Sequence, residues 1–350
     1  MAEKYLSRKR LKEILAAAKK KKVLVLGDIM LDRYLFGRVE RISPEAPVPV
    51  FLREDRTEFR AGAAANVAVN IVSLGAKAAV MGCFGDERHG LKLKEILEAK
   101  GIFAYRVCRR SCRFTTTKTR LIARNQQLLR IDEEKGFRIT GSEFLEITSI
   151  IKRELPNFDA VIVSDYGKGM VERRVLNFLL PLVRGQGKII TVDPKVEHFL
   201  AYKNVTSLTP NLDEAATGLN SLRKPATQKE VEELGLNIIR RLESDSLLIT
   251  QGPDGMTLFA RAAGRVSPVH IPTAAREVFD VSGAGDTVIA SFTLALSAGA
   301  STKEAAAFAN LAAGVVVGKM GAAAVSASEI LEALILYEQK PLSAGMFRKR

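Results

Sequence analysis

The sequence predicts an α/β fold, a doubly wound and mostly parallel sheet with helices on both faces and a small inserted β-sheet. Three observations predict it. Short apolar runs alternate with segments of helical periodicity along most of the 350 residues. Those runs stop at polar or glycine residues, the place where open α/β sheets bind ligands. A group of further extended segments, rich in polar side chains, falls between the core units and breaks the alternation.

Taken in order, residues 1–22 are a basic, amphipathic extension that lacks the apolar core and cleavage site of a secretory signal. Val23-Leu-Val-Leu26 is a buried strand ending at Gly27-Asp28, and residues 77–82, 159–164, 188–192, 205–208 and 246–250 have the same character. Helical patterns cover 64–74, 87–99, 142–154, 172–183, 212–219 and 229–243. Two alanine-rich stretches follow at 287–298 and 303–318, then a shorter helix at 327–337. The main domain is therefore expected over 23–338, with a tail at 339–350. The inserted sheet is expected from about 47–60 and 114–131, in four short strands at 47–52, 57–60, 114–122 and 127–131. Such a sheet either closes over substrate as a lid or is an edge hairpin without a role. Its many polar residues, Arg120, Arg124, Asn125 and Gln127, favour the lid.

Composition narrows the function classes. Hydrophobic residues at 47% and charged residues at 26% describe an ordinary globular protein. No apolar run reaches the ~18 residues of a membrane span. The three cysteines, Cys83, Cys108 and Cys112, are an odd number and suit a reducing, cytoplasmic setting. With no histidine nearby, Cys108 and Cys112 make a poor metal site. The net charge of +14 would suit nucleic acid, an anionic membrane or anionic substrates. Lacking tryptophan, aromatic residues among the basic ones and any nucleic-acid-binding signature, the chain fits phosphorylated substrates better than nucleic acid.

The sharpest motif is Asp280-Val-Ser-Gly-Ala-Gly-Asp286, directly before an apolar helix. Gly283, Ala284 and Gly285 let the backbone approach a ligand, and the helix start turns free N–H groups towards it. Together they offer an anion hole for a phosphoryl group in transfer. A carboxylate there would repel phosphate, so Asp286 fits a base that takes the proton of an attacking hydroxyl. An Asp can equally well just cap the helix. The glycine spacing matches neither the dinucleotide fingerprint nor the Walker loop. His89, His198 and His270 stand too far apart for the His-x-Gly-His pair of adenylyl transfer.

In Thr209-Pro-Asn211-Leu-Asp-Glu214, Asn211 and Glu214 share one face of a first helical turn. Hard oxygens there suit Mg²⁺ held through water, and a capped helix start with Asn211 as N-cap is an equal reading. Gly27-Asp28-Ile-Met-Leu-Asp32 and Gly62-Ala-Ala-Ala-Asn66 bring short carboxylates and an amide near one strand end, as a polyol site requires.

In this order the pieces resemble the ribokinase-like (phosphofructokinase-B) sugar kinases over roughly residues 23–333. Within them the chain is similar to the D-glycero-D-manno-heptose 7-phosphate kinases of ADP-heptose synthesis. The narrower likeness rests on Gly27-Asp-Ile-Met-Leu-Asp-Arg-Tyr34, Arg41-Ile-Ser-Pro-Glu-Ala-Pro-Val-Pro49 and Arg124-Asn-Gln-Gln-Leu-Leu-Arg130. Ser164-Asp-Tyr-Gly-Lys-Gly169 and Asp193-Pro-Lys195 fit it too.

The resemblance implies a ribokinase-like fold and transfer of the ATP γ-phosphate to the anomeric hydroxyl of heptose 7-phosphate, giving the 1,7-bisphosphate for lipopolysaccharide core precursors. It implies Asp286 as base and Asp28, Asp32, Gly62 and Asn66 on the sugar. Arg124, Asn125, Gln127 and Arg130, with Asp165 and Lys168, are expected around the sugar and its 7-phosphate. Arg124 leads, because a guanidinium binds phosphate through paired, charge-assisted bonds. Arg130 can instead pair with Asp132, and Lys168 can stand solvated. Asn211, Glu214, Thr250, Gly252, Gly255, Ser282 and Asn310 are implied around ATP and Mg²⁺, with a monovalent cation such as K⁺; Asn310 can also be a satisfied core amide. The usual Gly-Gly before Ala-Ala-Asn is Gly62-Ala63 here, which adds a methyl at a backbone hinge. Many relatives carry a fused nucleotidyltransferase domain. Without His-x-Gly-His here, the adenylyl step is expected from a separate protein. Exposed edge strands of the inserted sheet predict a homodimer through it. Rival readings are a kinase for ribose or a fructose phosphate, and a non-catalytic binder on the same fold.

Overall fold

The computed structural model describes residues 5–108, 114–124, 126–221, 223–262 and 264–339. In chain order the strands are β1 (Lys22–Gly27), β2 (Ile29–Ile42), β3 (Pro49–Ala63), β4 (Lys77–Gly82), β5 (Phe103–Arg106), β6 (Thr116–Ala123) and β7 (Gln126–Glu133). They continue with β8 (Ala160–Ser164), β9 (Ile189–Asp193), β10 (Ser207–Leu208), β11 (Ser246–Thr250), β12 (Met256–Ala262) and β13 (Arg265–Ile271). The helices are α1 (Arg8–Ala18), α2 (Ala64–Ser73), α3 (Arg88–Ala99), α4 (Gly141–Glu154) and α5 (Arg173–Gly185). After them come α6 (Leu212–Gly218), α7 (Gln228–Leu242), α8 (Ala284–Ser297), α9 (Thr302–Val316) and α10 (Ala327–Gln339).

Nine strands form one sheet in the order β13-β12-β11-β10-β9-β8-β1-β4-β5, and four form a second in the order β3-β2-β6-β7. The first is parallel from β11 to β5, and β12 and β13 join antiparallel at one edge. Its central strands are apolar throughout because they are covered on both sides. Val23 and Val25 of β1 face a core shared with α1, α2, α8, α9 and α10. Leu24 and Leu26, pointing the other way, join α4, α5 and α7.

Three expectations change. Residues 1–22 are not a mere extension: Leu11, Ile14, Leu15 and Ala18 of α1 are buried in the first core, at helical spacing behind a Ser7 cap. Of the four short strands expected in the small sheet, 114–122 and 127–131 are found as β6 and β7, whereas the sheet's central strand is unexpected. That strand is β2, which leaves the large sheet straight after Asp28 and lies between antiparallel β3 and parallel β6. The two segments expected at 47–52 and 57–60 are one strand, β3, whose middle is solvated. At its far edge β7 is exposed along its whole length, Leu129 and Ile131 included.

β3 runs directly into α2 through Ala63, which is buried and held at φ 53°, ψ −130°. A Cβ strains that conformation by roughly 1–3 kcal/mol, whereas glycine adopts it freely but adds entropy to the unfolded chain. Ala63→Gly should therefore stabilise the protein by about 1 kcal/mol net, read as a higher midpoint in urea. An equal or lower midpoint would mean that the methyl is tolerated without strain.

Candidate active site

The helix α8 begins at Gly283, whose φ is 77°. A Cβ there would lie 2.8 Å from Asn66 Nδ2, so glycine is what lets α8 start against α2. Thr287 of α8 donates to Asn70 Oδ1 at 3.1 Å, and Asn70 Nδ2 donates to the Asn66 carbonyl at 3.0 Å. These contacts lock the two helices in register. Asp286, in the first turn of α8, is buried. Its Oδ2 accepts from Asn66 Nδ2 at 2.8 Å and its Oδ1 from the Tyr166 hydroxyl at 2.8 Å. Burial pushes its carboxyl up to about 6, with the Asp32 charge adding, while the two hydrogen bonds and Lys118 pull it down. Such a group is ionised at neutral pH and still basic enough to take a proton. Ala284 and Gly285 open the helix, and a Cβ on Gly285 would meet nothing within 4 Å among the described residues. Asp280 steadies this loop, accepting from Ser282 N at 2.8 Å and Gly321 N at 2.9 Å.

The loop after β8 carries Asp165, Tyr166 and Lys168. Asp28 does not face outward as expected. Its carboxylate accepts the backbone N–H groups of Tyr166 at 2.9 Å and of Lys168 and Met170 at 3.0 Å, leaving little of its acceptor capacity. Burial, the largest influence, raises its pKa, and the three N–H groups oppose it. Asp165 is engaged too, with Tyr202 Oη at 2.6 Å, His198 Nδ1 at 2.7 Å and Gly167 N at 2.8 Å. Both carboxylates anchor the loop. Lys168 Nζ is 2.8 Å from Glu134, just beyond β7, in a partly exposed ion pair.

On the lid, Asp32 of β2 pairs with Arg120 of β6 at 2.6 Å, both buried. A Cβ on Gly62 would come within 2.9 Å of Asp32 Oδ2, which explains the glycine. Lys118, two residues before Arg120 and so on the same face, is half-buried with its ammonium 5.9 Å from the Tyr166 ring centre. Burial lowers its pKa. The described residues of the phosphate-binding group expected further along the lid are exposed in the ligand-free chain. Arg124 lies past the end of β6, exposed and at φ 49°, six residues or about 20 Å along the strand from Lys118. Gln127 is exposed at the same tip, Asn125 lies outside the described residues, and Arg130 is paired with Asp132 at 2.8 and 2.9 Å.

On the other side of Asp286, Asn211 and Glu214 form a capping box, each side chain bonded at 2.9 Å to the other's backbone N–H. Asn211 also bridges Thr250, joining the ends of β10 and β11. Burial raises the Glu214 pKa. It raises that of Asp193 further, with Glu214 the next cause and Asp286 after it. A carboxylate pushed up by burial and by a neighbouring Glu214 charge is what a cation would relieve. Among the described residues no group of three or more His, Cys, Asp or Glu is placed to cage a metal. Gly252 and Gly255 turn the chain after β11 at φ 59° and 91°, and a Cβ on Gly255 would run into the Ile271 carbonyl. Asn310 proves to be a core amide, donating to Pro272 O at 2.7 Å and accepting from Ala274 N at 3.4 Å.

Sequence reasoning did not single out Tyr166 or Lys118. Tyr166 stood inside the quoted Ser164 to Gly169 segment, but nothing local says that its hydroxyl reaches α8. Among the described residues no helix is long and apolar enough to cross a membrane.

The model of the pfkB family carbohydrate kinases matches residues 20–329. Over 326 residues the chain is 41% identical to the Bifunctional protein HldE of Geotalea uraniireducens, covering 93% of this chain and 65% of that protein. It is 42% identical over 326 residues to the protein of the same name from Haemophilus influenzae, covering 91% and 64%. The chain thus spans less than two thirds of the length of these curated relatives. Among solved structures, phosphofructokinase-2 from Escherichia coli in complex with substrates and products superposes with a TM-score of 0.74 at 18% identity, covering 91% of this chain and 99% of that one. Arabidopsis thaliana ribokinase complexed with ribose and ATP gives 0.66 at 19%, covering 90% and 99%. At such identities these two establish the fold, which is ribokinase-like as expected. With the family model matched from residue 20 to 329, this protein belongs to the pfkB family of carbohydrate kinases, phosphotransferases whose acceptor is a sugar hydroxyl.

Proposed function

We propose that the protein transfers the γ-phosphoryl group of ATP to the anomeric hydroxyl of D-glycero-D-manno-heptose 7-phosphate, in the cytoplasmic supply of ADP-heptose. The observation that carries the chemistry is the buried Asp286, held between two donors at the open start of α8. The substrate rests on the relatives named HldE and on the motif segments along β2, the turn between β2 and β3, and β7. Asp286 takes the hydroxyl proton while the amides of Gly283 and Gly285 face the charge that develops on the moving phosphoryl group, that of Ala284 being donated to Val281 O at 3.2 Å. Asp32, fixed by Arg120, holds sugar hydroxyls beside it. Lys118, rather than Arg124 of the same chain, is the cation placed for the substrate's own phosphate. The nucleotide lies along Asn211, Thr250, Gly252, Gly255 and Ser282. Glu214 and Asp193 would hold Mg²⁺ through water, which when bound neutralises phosphate charge.

The test is ATP consumption by purified protein with Mg²⁺ and, separately, heptose 7-phosphate, fructose phosphates and ribose, beside Asp286→Asn. Turnover with heptose 7-phosphate alone, lost in the variant, is the expected result. Turnover on another sugar would keep the kinase and sink the heptose assignment, and none on any would favour a binding protein. The exposed β7 edge supports a dimer formed through the lid; sedimentation showing only monomer at micromolar protein would count against it.

A further inference from the structure

Asp286 receives one donor on each oxygen, and the two donors differ in kind. Asn66 belongs to α2, packed against α8 along its length. Tyr166 stands on a loop, and its hydroxyl reaches Asp286 Oδ1 at 2.8 Å, the oxygen that Asn66 does not take. That loop has little freedom. Asp28 takes the backbone N–H of Tyr166 itself, and of Lys168 and Met170. Asp165, fixed in turn by Tyr202 and His198, takes that of Gly167. Burying two carboxylates is unfavourable unless their hydrogen bonds are well made, and here nearly all of those bonds hold one short turn in place.

We propose that Tyr166 is the positioning residue of the base: its hydroxyl fixes the orientation of the Asp286 carboxylate and keeps that carboxylate ionised. The inference rests on Asp286 being the base. A carboxylate has about four acceptor positions. With Asn66 and Tyr166 on two of them, the others remain for the proton of a sugar hydroxyl. After the proton has moved, the phenol still donates to the oxygen that did not receive it. The charged and titratable groups around Asp286 are Asp32 and Lys118 from the lid, Asp193 from the end of β9 and Tyr166 itself. Of these, Tyr166 touches it through a neutral hydrogen bond, so its hydroxyl can be removed without changing a charge.

A hydrogen bond to a carboxylate favours the ionised form, so its loss raises the pKa and moves the acid limb of the kcat/KM profile upward. Tyr166→Phe keeps the ring and its packing. It is expected to move that limb up by about one pH unit. It should also lower kcat by roughly ten- to a hundredfold, as a misplaced base does, with the sugar KM changed little. Replacing Tyr166 by 3-fluorotyrosine, a stronger donor of nearly the same shape, should move the limb the other way. This second variant serves if the phenylalanine protein folds poorly. Carbon-13 titration of the Asp286 carboxyl in the ligand-free protein, assigned with Asp286→Asn, should show the same two shifts without any turnover. Unmoved limbs and an unmoved carboxyl titration in both variants would overturn the proposal, whatever the loss of rate. An Asp286→Asn protein that kept its rate would instead overturn the assignment of the base, which is a separate failure.

Discussion

Asp286→Asn should lower kcat by roughly 10²–10⁴-fold, the usual loss on removing a general base, and should make the protein more stable at neutral pH. The first effect follows from the chemistry: an amide cannot accept the hydroxyl proton, although it fits the same space between Asn66 and Tyr166. The second follows from linkage. Burial raises the folded-state pKa from 3.8 to about 6, so between those values the folded protein holds a proton that the unfolded chain has released. Stability from this group is therefore greatest below pH 4, falls as pH rises towards 6, and stays reduced above it. Two pKa units correspond to about 3 kcal/mol, an upper figure for what a neutral side chain recovers at pH 7. Urea unfolding of both proteins at pH 5 and pH 7.5 would show the gap widening with pH. A variant that lost activity and was equally destabilised at both pH values would indicate a structural carboxylate, not a strained base.

How much of this could be read in the sequence depends on how local each signal is. Strands such as Val23-Leu-Val-Leu26 and β8 are covered on both faces, so they appear as unbroken apolar runs. The hairpin β12–β13 was missed: β13 is half-exposed, is an edge strand and contains Pro268, all of which look like loop. β2 escaped because it has no single period. It is buried from Ile29 to Leu31 and carries Gly37, Arg38, Glu40 and Arg41 in its solvated half. Asp286 was legible because its glycine-rich loop and helix adjoin it in sequence. Its partners Asn66 and Tyr166 lie 220 and 120 residues away, and only the folded sheet brings them together. Family likeness supplied Arg124 as a residue type, but strand register decides its position, and register places it at the far tip of the lid.

Arg120→Met is expected to cost about 3–5 kcal/mol, because it removes the partner of a buried charge. Asp32 has Arg120 at 2.6 Å, and both side chains are buried. The guanidinium also lies 5.3 Å from the centre of the Tyr34 ring, whose hydroxyl accepts from Ala322 N at 3.0 Å. Through Tyr34 the pair reaches the segment that contacts Asp280 through Gly321. Methionine fills much of the volume but leaves the Asp32 carboxylate without its counter-charge. Breaking such a pair is far worse than replacing both members, which is often nearly neutral. Asp32→Asn combined with Arg120→Met should accordingly regain most of the lost stability in urea. The double variant should not regain activity, since Asp32 is the carboxylate proposed to hold the sugar. Single and double variants of equal stability would mean that the pair is solvated rather than buried.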